Sequence, residues 1–400
     1  MKKGWEIKTL GDICSFENGD RGENYPSKSV QTRSGVPFIN AGHLGESGID
    51  FSDMNYIPRE RFNLLGNGKI QKNDILFCLR GSLGKFASVG DLNEGAIASS
   101  LIIIRPHQAI LNEFALAYFQ SDLCAEMIRE FKNGAAQPNL AGASLKKFVI
   151  PVPPLPEQHR IVTILDEAFL GLATAKANAE KNLQNARSLF ESHLQSVFSQ
   201  RGKGWVDRQL ATLCHEITVG HVGSMKTEYK ASGVPFLRSQ NIRPFQVSME
   251  NAMFIDQAFH RSLKKSQLRP GDLAIVRTGY PGTAAVIPHE LPDSNCSDLV
   301  IVRPTKEVDP HFLAAFFNSA FGKQLVLGKI VGAAQKHFNV TAAKEVMLHV
   351  PPLSKQHEII KMIDDLREET TRLAAIYQQK LAALEALKKS LLHQAFSGEL

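Results

Sequence analysis

The chain repeats itself once, with a period of about 198 residues. The segment PPLPEQHRI at 153–161 returns as PPLSKQHEI at 351–359, and each copy opens a long stretch with helical spacing. An internal repeat constrains the architecture more than any local pattern, because every copy must fold in a similar way. This period is long enough for a whole domain followed by a long helix. The sequence therefore predicts two related modules, which suggests a target with two related parts.

Further matches extend the repeat along both halves, at an offset that drifts between 198 and 200 residues. So many matches in the same order argue against chance similarity. The matching pairs include Gly4-Trp5 with Gly204-Trp205, SGVPF at 34–38 with 232–236, Asp74 with Asp272, Gly81 and Gly84 with Gly279 and Gly282, Arg105 with Arg303, and GAAQ at 134–137 with 332–335.

Composition sets several broad expectations. No apolar run reaches the roughly 18 residues of a membrane-spanning helix, and the N-terminus lacks the apolar core of a signal peptide. The five cysteines lack metal-binding spacing, which favours free, buried thiols in a reducing cytoplasm. The net charge is +6, and residues 201–350 hold the surplus, with 18 Lys and Arg against 12 Asp and Glu. Such a surplus fits a nucleic-acid partner, although it also serves solubility.

Two segments of the chain have the composition of mixed α/β modules. Their short apolar runs, bounded by Gly, Pro, Asn and Asp, predict strands and turns. Phe114–Phe131 and Phe312–Val326 carry helical spacing and predict helices. The predicted domains are a first module at 1–153, a long helix at 154–200, a second module at 201–350 and a second long helix at 351–400.

The two long helical segments, 157–199 and 355–397, contain no Gly or Pro except Gly171. Their apolar residues alternate spacings of three and four, which is the a/d seam of a coiled coil. A helix of about 43 residues spans ~65 Å, more than one small module covers, so each helix is expected to pair with the other. The short link at 200–204 favours antiparallel pairing, with a module at each end and an internal pseudo-two-fold axis. The alternative is two separate domains, each with its helix packed on its own module.

With these features the chain resembles the specificity subunit of type I restriction–modification systems. The resemblance covers essentially the whole chain. It rests on the Trp-x-x-x-x-Leu-x-x-Ile/Leu openings at Trp5–Ile13 and Trp205–Leu213, on the PPLPEQHRI segment that begins the central helix, and on LKKSLLHQAFSGEL at 387–400. The start of the second long helix departs from this pattern, with Ser354 and Lys355 in place of Pro156 and Glu157. This departure leaves open whether both helix starts dock partners equally.

The resemblance implies two target-recognition domains, each reading one half of a split, asymmetric site on double-stranded DNA. It implies that the coiled coil sets the gap between the halves and docks two methyltransferase subunits. Those subunits would supply S-adenosylmethionine and the adenine N6-methylation chemistry, and two restriction subunits join in complexes that cleave DNA. The specificity subunit itself would catalyse nothing and would hold no cofactor.

A search for catalytic motifs agrees with this implication. The chain has no Gly-rich cofactor loop, no Asp/Asn-Pro-Pro-aromatic motif and no HExxH. His159 and His357 stand at equivalent helix starts, where packing or capping is favoured over metal ligation. Two rival hypotheses stay open: a methylation system without a type I motor, and a coiled-coil scaffold that joins two protein-binding modules without recognising DNA.

The candidates for DNA recognition are amide and cationic side chains on loops. Arg pairs with guanine and Asn or Gln with adenine, while Lys and Arg contact phosphates and make binding salt-dependent. The GAAQ segments with their polar neighbours are favoured first, and Arg80 and Arg277 beside glycines second. The alternative for each is an ordinary exposed polar residue. The candidates are Arg21, Lys28, Arg33, Asn40, Arg80, Lys85, Lys132, Gln137 and Asn139 in the first module, and His221, Lys226, Lys230, Arg238, Gln240, Asn241, Arg277, Tyr280, Lys329, Gln335, Lys336 and His337 in the second.

Overall fold

The computed structural model describes residues 2–45, 48–134, 138–200, 202–328 and 337–400. The chain divides into two compact units. The first unit holds Met1–Ala179 with Gln379–Leu400, and the second holds Glu180–Gln378. None of the helices in these described ranges is both long enough and apolar enough to cross a membrane.

The first unit is built on an antiparallel sheet with the strand order Cys14–Asn18, Leu101–Pro106, Ile75–Cys78 and Phe86–Ser88. A second sheet has the order Asn55–Ile57, Val36–Ile39 and Ala96–Ile97, and Glu6–Thr9 pairs with Val149–Val152 beside the start of the first long helix. In chain order the elements are β1 (Glu6–Thr9), α1 (Leu10–Ile13), β2 (Cys14–Asn18), β3 (Val36–Ile39), β4 (Leu44–Gly45), β5 (Gly48–Ile49), β6 (Asn55–Ile57), α2 (Arg59–Leu64), β7 (Ile75–Cys78), β8 (Phe86–Ser88), β9 (Ala96–Ile97), β10 (Leu101–Pro106), α3 (Asn112–Gln120), α4 (Asp122–Phe131), α5 (Gly142–Leu145), β11 (Val149–Val152) and the start of α6 (Leu155–Ser199).

The second unit repeats this plan, since its main sheet has the strand order Cys214–Val219, Leu299–Pro304, Leu273–Val276 and Ala284–Val286. Its elements are β12 (Val206–Gln209), β13 (Cys214–Val219), β14 (Tyr229–Lys230), β15 (Val234–Leu237), β16 (Ile242–Arg243), β17 (Gln246–Val247), β18 (Met253–Ile255), α7 (Gln257–Ser262), β19 (Gln267–Leu268), β20 (Leu273–Val276), β21 (Ala284–Val286), β22 (Ser294–Cys296), β23 (Leu299–Pro304), α8 (Pro310–Asn318), α9 (Ala320–Gly328), α10 (Val340–Lys344), β24 (Met347–Val350) and the start of α11 (Leu353–Ser397).

The main sheet is buried on both faces because its central strands are apolar at successive positions. Side chains alternate between the faces of a strand. In β7, Ile75 and Phe77 pack in one cluster with Phe114 and Tyr118 of α3, while Leu76 and Cys78 pack in another cluster against the smaller strands. Continuous apolar runs such as these are expected for strands covered on both sides.

An ion pair to a buried aspartate joins the two central strands of each main sheet and explains two of the repeated residues. Arg105 donates from Nε and Nη2 to the carboxylate of the fully buried Asp74, at 2.7 and 2.8 Å. In the second unit, Arg303 Nε lies 3.4 Å from Asp272 Oδ2. Burial raises the pKa of Asp272, and the hydrogen bond to Asp74 raises the pKa of Arg105. Losing the arginine would leave the charge of the aspartate buried, which is strongly destabilising.

Within each unit, segments of the two long helices pack antiparallel on the core of the module. In the first unit, the start of α6 shares a cluster with the end of α11, and Phe396 lies with its ring centroid 5.1 Å from that of Phe114. In the second unit, the end of α6 meets the start of α11, and Phe198 lies 5.3 Å from Phe312. The predicted fold class, α/β modules with antiparallel long helices, is confirmed. The alternative, in which each helix packs only on its own module, is wrong.

The repeated glutamine of the PPLxxQ segments is the clamp that fixes each helix to its module. Gln158 is fully buried; its Oε1 accepts from Leu111 N at 2.9 Å, and its Nε2 donates to the carbonyls of Ala109 and Pro153 at 3.0 and 2.8 Å. The amide thereby satisfies three backbone groups at the junction of β11, α3 and α6.

Gln356 makes the same set of bonds in the second unit. It is also fully buried; its Oε1 accepts from Asp309 N at 2.8 Å, and its Nε2 donates to the carbonyls of Glu307 and Pro351 at 3.2 and 2.9 Å. The sequence motif that links the two halves is therefore the signature of this clamp. The neighbouring His159 and His357 are exposed, and His357 Nε2 lies 3.3 Å from Asp309 Oδ2.

We predict that Gln158→Leu lowers the free energy of unfolding by about 1–3 kcal/mol for each backbone group left unpaired in the core. The measurement is chemical denaturation followed by circular dichroism. Gln184→Leu, an exposed position on the same helix, is the matched control and is expected to change the midpoint little. Equal midpoints for the two variants would contradict the clamp.

Candidate nucleic-acid interface

The second unit contains a cleft of about 880 Å³ at one edge of its main sheet. It lies between the turn that follows β15, the hairpin that joins β20 to β21, the turn before β23, and α9. The residues that line it are Arg238, Ser239, Gln240, Ile242, Arg243, Pro244, Val276, Thr278, Gly279, Tyr280, Pro281, Thr283, Ser297, Asp298, Lys323 and Leu327.

Three of the predicted site residues come together in this cleft. Arg238 Nη2 and Gln240 Nε2 both donate to the carbonyl of Asn251, at 3.3 and 3.4 Å, so the two side chains are held side by side. The Arg238 guanidinium also lies 6.0 Å from the centroid of the Tyr229 ring. Tyr280, at the tip of the hairpin, is 84% exposed. An aromatic ring so exposed at the mouth of a cleft is suited to contact with a ligand.

Sequence reasoning missed several further lining residues. Arg243 and Lys323 add positive charge, while Ser239, Thr278 and Asp298 form a hydrogen-bonded group within the lining. Arg243 lies in the polar run that contains Arg238 and Gln240, so this run could have identified it as a candidate. Lys323 lies in the predicted helix Phe312–Val326, outside the loops that were searched for DNA-binding residues, and nothing local distinguished Asp298. With three cationic side chains, the cleft suits a polyanion such as duplex DNA.

The other predicted residues of this unit are placed differently. Asn241 is fully buried, and its amide nitrogen donates to the carbonyls of Ser248 and Glu250, so this side chain holds the loop together. Arg277 is half-buried; its backbone N–H donates to Asp298 O, and its carbonyl accepts from Phe338 N. The His221 ring lies 5.7 Å from that of Phe259. Lys226 and Lys230 are exposed, His337 is half-buried, and Lys329, Gln335 and Lys336 lie outside the described residues.

The first unit has a smaller cleft, of about 450 Å³, at the equivalent hairpin between β7 and β8. Lys85 and Lys132, both predicted, line it, and Arg129 was missed. The backbone of Arg80 forms a bridge to Asn139, which places both beside the same hairpin. The cleft is lined by Gly81, Ser82, Leu83, Lys85, Ile128, Arg129, Lys132 and Pro138.

The remaining predicted residues of the first unit lie around or away from this edge. Lys85 Nζ donates to Ala41 O at 3.1 Å, which brings the turn of Asn40 close to the hairpin. Asn40 itself accepts from Gly42 N at 2.7 Å. Arg21 donates to Ser99 O at 3.3 Å, in the turn before β10. Lys28 and Arg33 are exposed and do not line the cleft, and Gln137 lies outside the described residues.

In the described part of the chain, no group of three His, Cys, Asp or Glu side chains is arranged to hold a metal ion. The five cysteines are free, and all but Cys214 are buried. What the two clefts offer is a set of donors and acceptors on a rigid sheet edge, which can read the edges of bases and contact phosphates.

Comparison with known proteins gives a family match over both halves. The family model described as "Type I restriction modification DNA specificity domain" matches residues 2–182 and 204–386. The specificity subunit of the type I restriction enzyme EcoKI from Escherichia coli K12 is 23% identical over 427 residues, covering 100% of this chain and 90% of the relative.

Two solved structures share the fold at low sequence identity. A chain from a structure of the type I R-M system, described for its complex assembly and conformational transition, aligns with a TM-score of 0.83 at 19% identity, covering 100% of this chain and 99% of that chain. The HsdS subunit from Thermoanaerobacter tengcongensis aligns with a TM-score of 0.64 at 19% identity, covering 100% and 98%.

The hairpin of the first unit offers a paired test of how its tip is held against α4. Gly81 and Gly84 both have positive φ, of 79° and 84°, so an alanine at either position is strained by about 1–2 kcal/mol. A Cβ at Gly84 would lie 2.9 Å from Ile128 Cδ1, whereas one at Gly81 meets nothing within 4 Å. We predict that Gly84→Ala lowers the unfolding midpoint more than Gly81→Ala. Equal losses would show that Ile128 Cδ1, the far end of a flexible side chain, moves aside without measurable cost.

Proposed function

The chain belongs to the family of type I restriction–modification DNA specificity subunits, and from this membership we propose that each of its units reads one half of a bipartite, asymmetric DNA site. The subunit's role is DNA sequence recognition. One observation supports the proposal: both units have a cleft at the same hairpin of the same sheet, and the two clefts are lined by different side chains.

The difference between the clefts supports an asymmetric site. At the hairpin tip, Ser82 in the first unit stands where Tyr280 stands in the second, and Lys85 stands where Thr283 stands. Side-chain donors and acceptors determine which base edge a protein binds. Two scaffolds of the same topology with unlike linings are therefore expected to select unlike half-sites.

We further propose that the long helices dock methyltransferase subunits, with S-adenosylmethionine and the methylation of adenine N6 residing in those partners. The helices carry large apolar side chains that the chain itself leaves exposed, which favours a protein partner. They are Leu170 and Leu387 in the first unit and Leu189 and Ile376 in the second. The length of the paired helices would set the gap between the half-sites, and restriction subunits would join the same complex.

The starts of the two long helices differ in charge, which argues that their docking surfaces are not equivalent. Glu157 accepts hydrogen bonds from Arg160 and Lys2, and these lower its pKa to about 2. At the start of α11 the order of charges is reversed, because Lys355 pairs with Glu358 at 2.6 Å. A partner that binds at the start of each helix would meet the negative charge of Glu157 on α6 and the positive charge of Lys355 on α11.

Long-read methylome sequencing tests the function directly. A methylation-free bacterial host would carry this gene with its adjacent methyltransferase gene, and the control host would lack only this gene. We predict a new split motif with unlike halves and methyladenine in both. Absence of any new motif, with the subunits soluble and co-purifying, would contradict DNA recognition and would favour a scaffold that joins other proteins.

A further inference from the structure

We propose that Asp298 is a specificity-determining residue of the second unit and accepts a hydrogen bond from an exocyclic amino group of a base in the major groove. The amino group would be N4 of cytosine or N6 of adenine, the donors that distinguish these bases from thymine and guanine. The inference rests on the proposed function, since it assigns one base position within the half-site read by the second cleft.

The carboxylate of Asp298 lines the cleft and is held in place on one side only. Thr278 Oγ1 and Ser239 Oγ both donate to Oδ2, the second at 2.9 Å. The other oxygen, Oδ1, receives no hydrogen bond from any residue that the structure describes. A carboxylate fixed through one oxygen has acceptor capacity left on the other, so Asp298 is oriented to receive an amino donor from a ligand.

The backbone at Asp298 supports a functional role. Its φ is +58°, in the left-handed region that a non-glycine residue rarely adopts. Ser100 occupies the equivalent turn of the first unit, where its carbonyl accepts from Leu79 N as that of Asp298 accepts from Arg277 N. The φ of Ser100 is not positive. The turn therefore does not require the strained conformation, and strain that a fold does not require is concentrated at functional sites.

The cationic side chains of the cleft and the carboxylate of Asp298 serve different purposes, namely affinity for DNA and discrimination between bases. Arg238, Arg243 and Lys323 line the same cleft and suit the phosphate backbone. No Lys or Arg in the described part of the chain forms an ion pair with Asp298. An unpaired carboxylate repels phosphate and the acceptor atoms of guanine and thymine, so it weakens binding to the wrong bases. In a cleft that binds DNA, this carboxylate selects bases that present an amino donor.

The competing role for Asp298 is structural, because its bonds to Ser239 and Thr278 tie the turn after β15 to the hairpin. A purely structural residue would affect stability and methylation at all sites alike. A base-reading residue would change the preference at a single position of one half-site. The two roles therefore differ in base preference rather than in total activity.

The test compares methylomes and relative methylation rates of complexes that contain the wild-type chain, Asp298→Asn, Asp298→Ser or Asp293→Asn. Asparagine replaces an acceptor oxygen with a donor, and serine is the residue at the equivalent turn of the first unit. Asp293 is exposed and does not line the cleft, so it is the matched control. We expect Asp298→Asn to reduce discrimination at one cytosine or adenine position by about tenfold or more, with the other half-site unchanged.

Duplexes that lack the amino group at that position provide a second arm. Purine replaces adenine, or 2-pyrimidinone replaces cytosine, and the wild-type motif decides which is used. The wild-type complex should bind the modified duplex at least tenfold more weakly, while Asp298→Asn should bind both duplexes alike.

The outcomes separate the two proposals. Unchanged base preference at every position in Asp298→Asn, or a uniform loss of methylation without a change of preference, would overturn the role of Asp298. If Asp298→Asn fails to assemble, Asp298→Ser decides by the same criterion. A wild-type complex that methylates no motif would instead overturn the proposed function itself.

Discussion

The structure depends on one buried amide in each unit. Gln158 and Gln356 each satisfy three backbone groups where a long helix leaves its module, and each is closed off from solvent. A buried amide that loses its hydrogen-bond partners lowers the free energy of unfolding. The clamp therefore favours a single orientation of the helix where it leaves the module. The aromatic contacts of Phe396 on Phe114 and of Phe198 on Phe312 then seat the second helix on the same core. The module and the helix segments within a unit therefore pack around one core.

Several side chains that recur between the two halves lie in the core of each unit: the clamp glutamines, the aspartates of the Asp–Arg pairs and the phenylalanines under the helices. At the hairpin edge the two halves differ, because Ser82 is replaced by Tyr280 and Ser100 by Asp298. Loops at the edge of a rigid scaffold can change without cost to the core. A common scaffold with unlike clefts is what a two-part, asymmetric target requires.

The sequence predicted the architecture well and the site in part, for physical reasons. The a/d seam and the repeat act over many residues, so the long antiparallel helices and the doubled α/β modules could be inferred from pattern alone. The site depends on which side chain a turn exposes. The polar run predicts Asn241 as a site residue, but its amide nitrogen donates to the carbonyls of Ser248 and Glu250 within the protein. Asp298 gave no signal, because its place beside Ser239 and Thr278 is created by chain segments distant in sequence.

The central claim is that each half of the chain carries its own half-site specificity on an interchangeable scaffold. The most direct measurement is the methylome produced by a chain in which residues 4–199 occupy both halves, co-expressed with the same methyltransferase. Phe198 would then stand where Phe396 stands, since both pack on equivalent phenylalanines of their modules. We expect a symmetric motif made of two inverted copies of one parental half-site. Retention of the parental asymmetric motif, or no motif from a stably assembled complex, would contradict it.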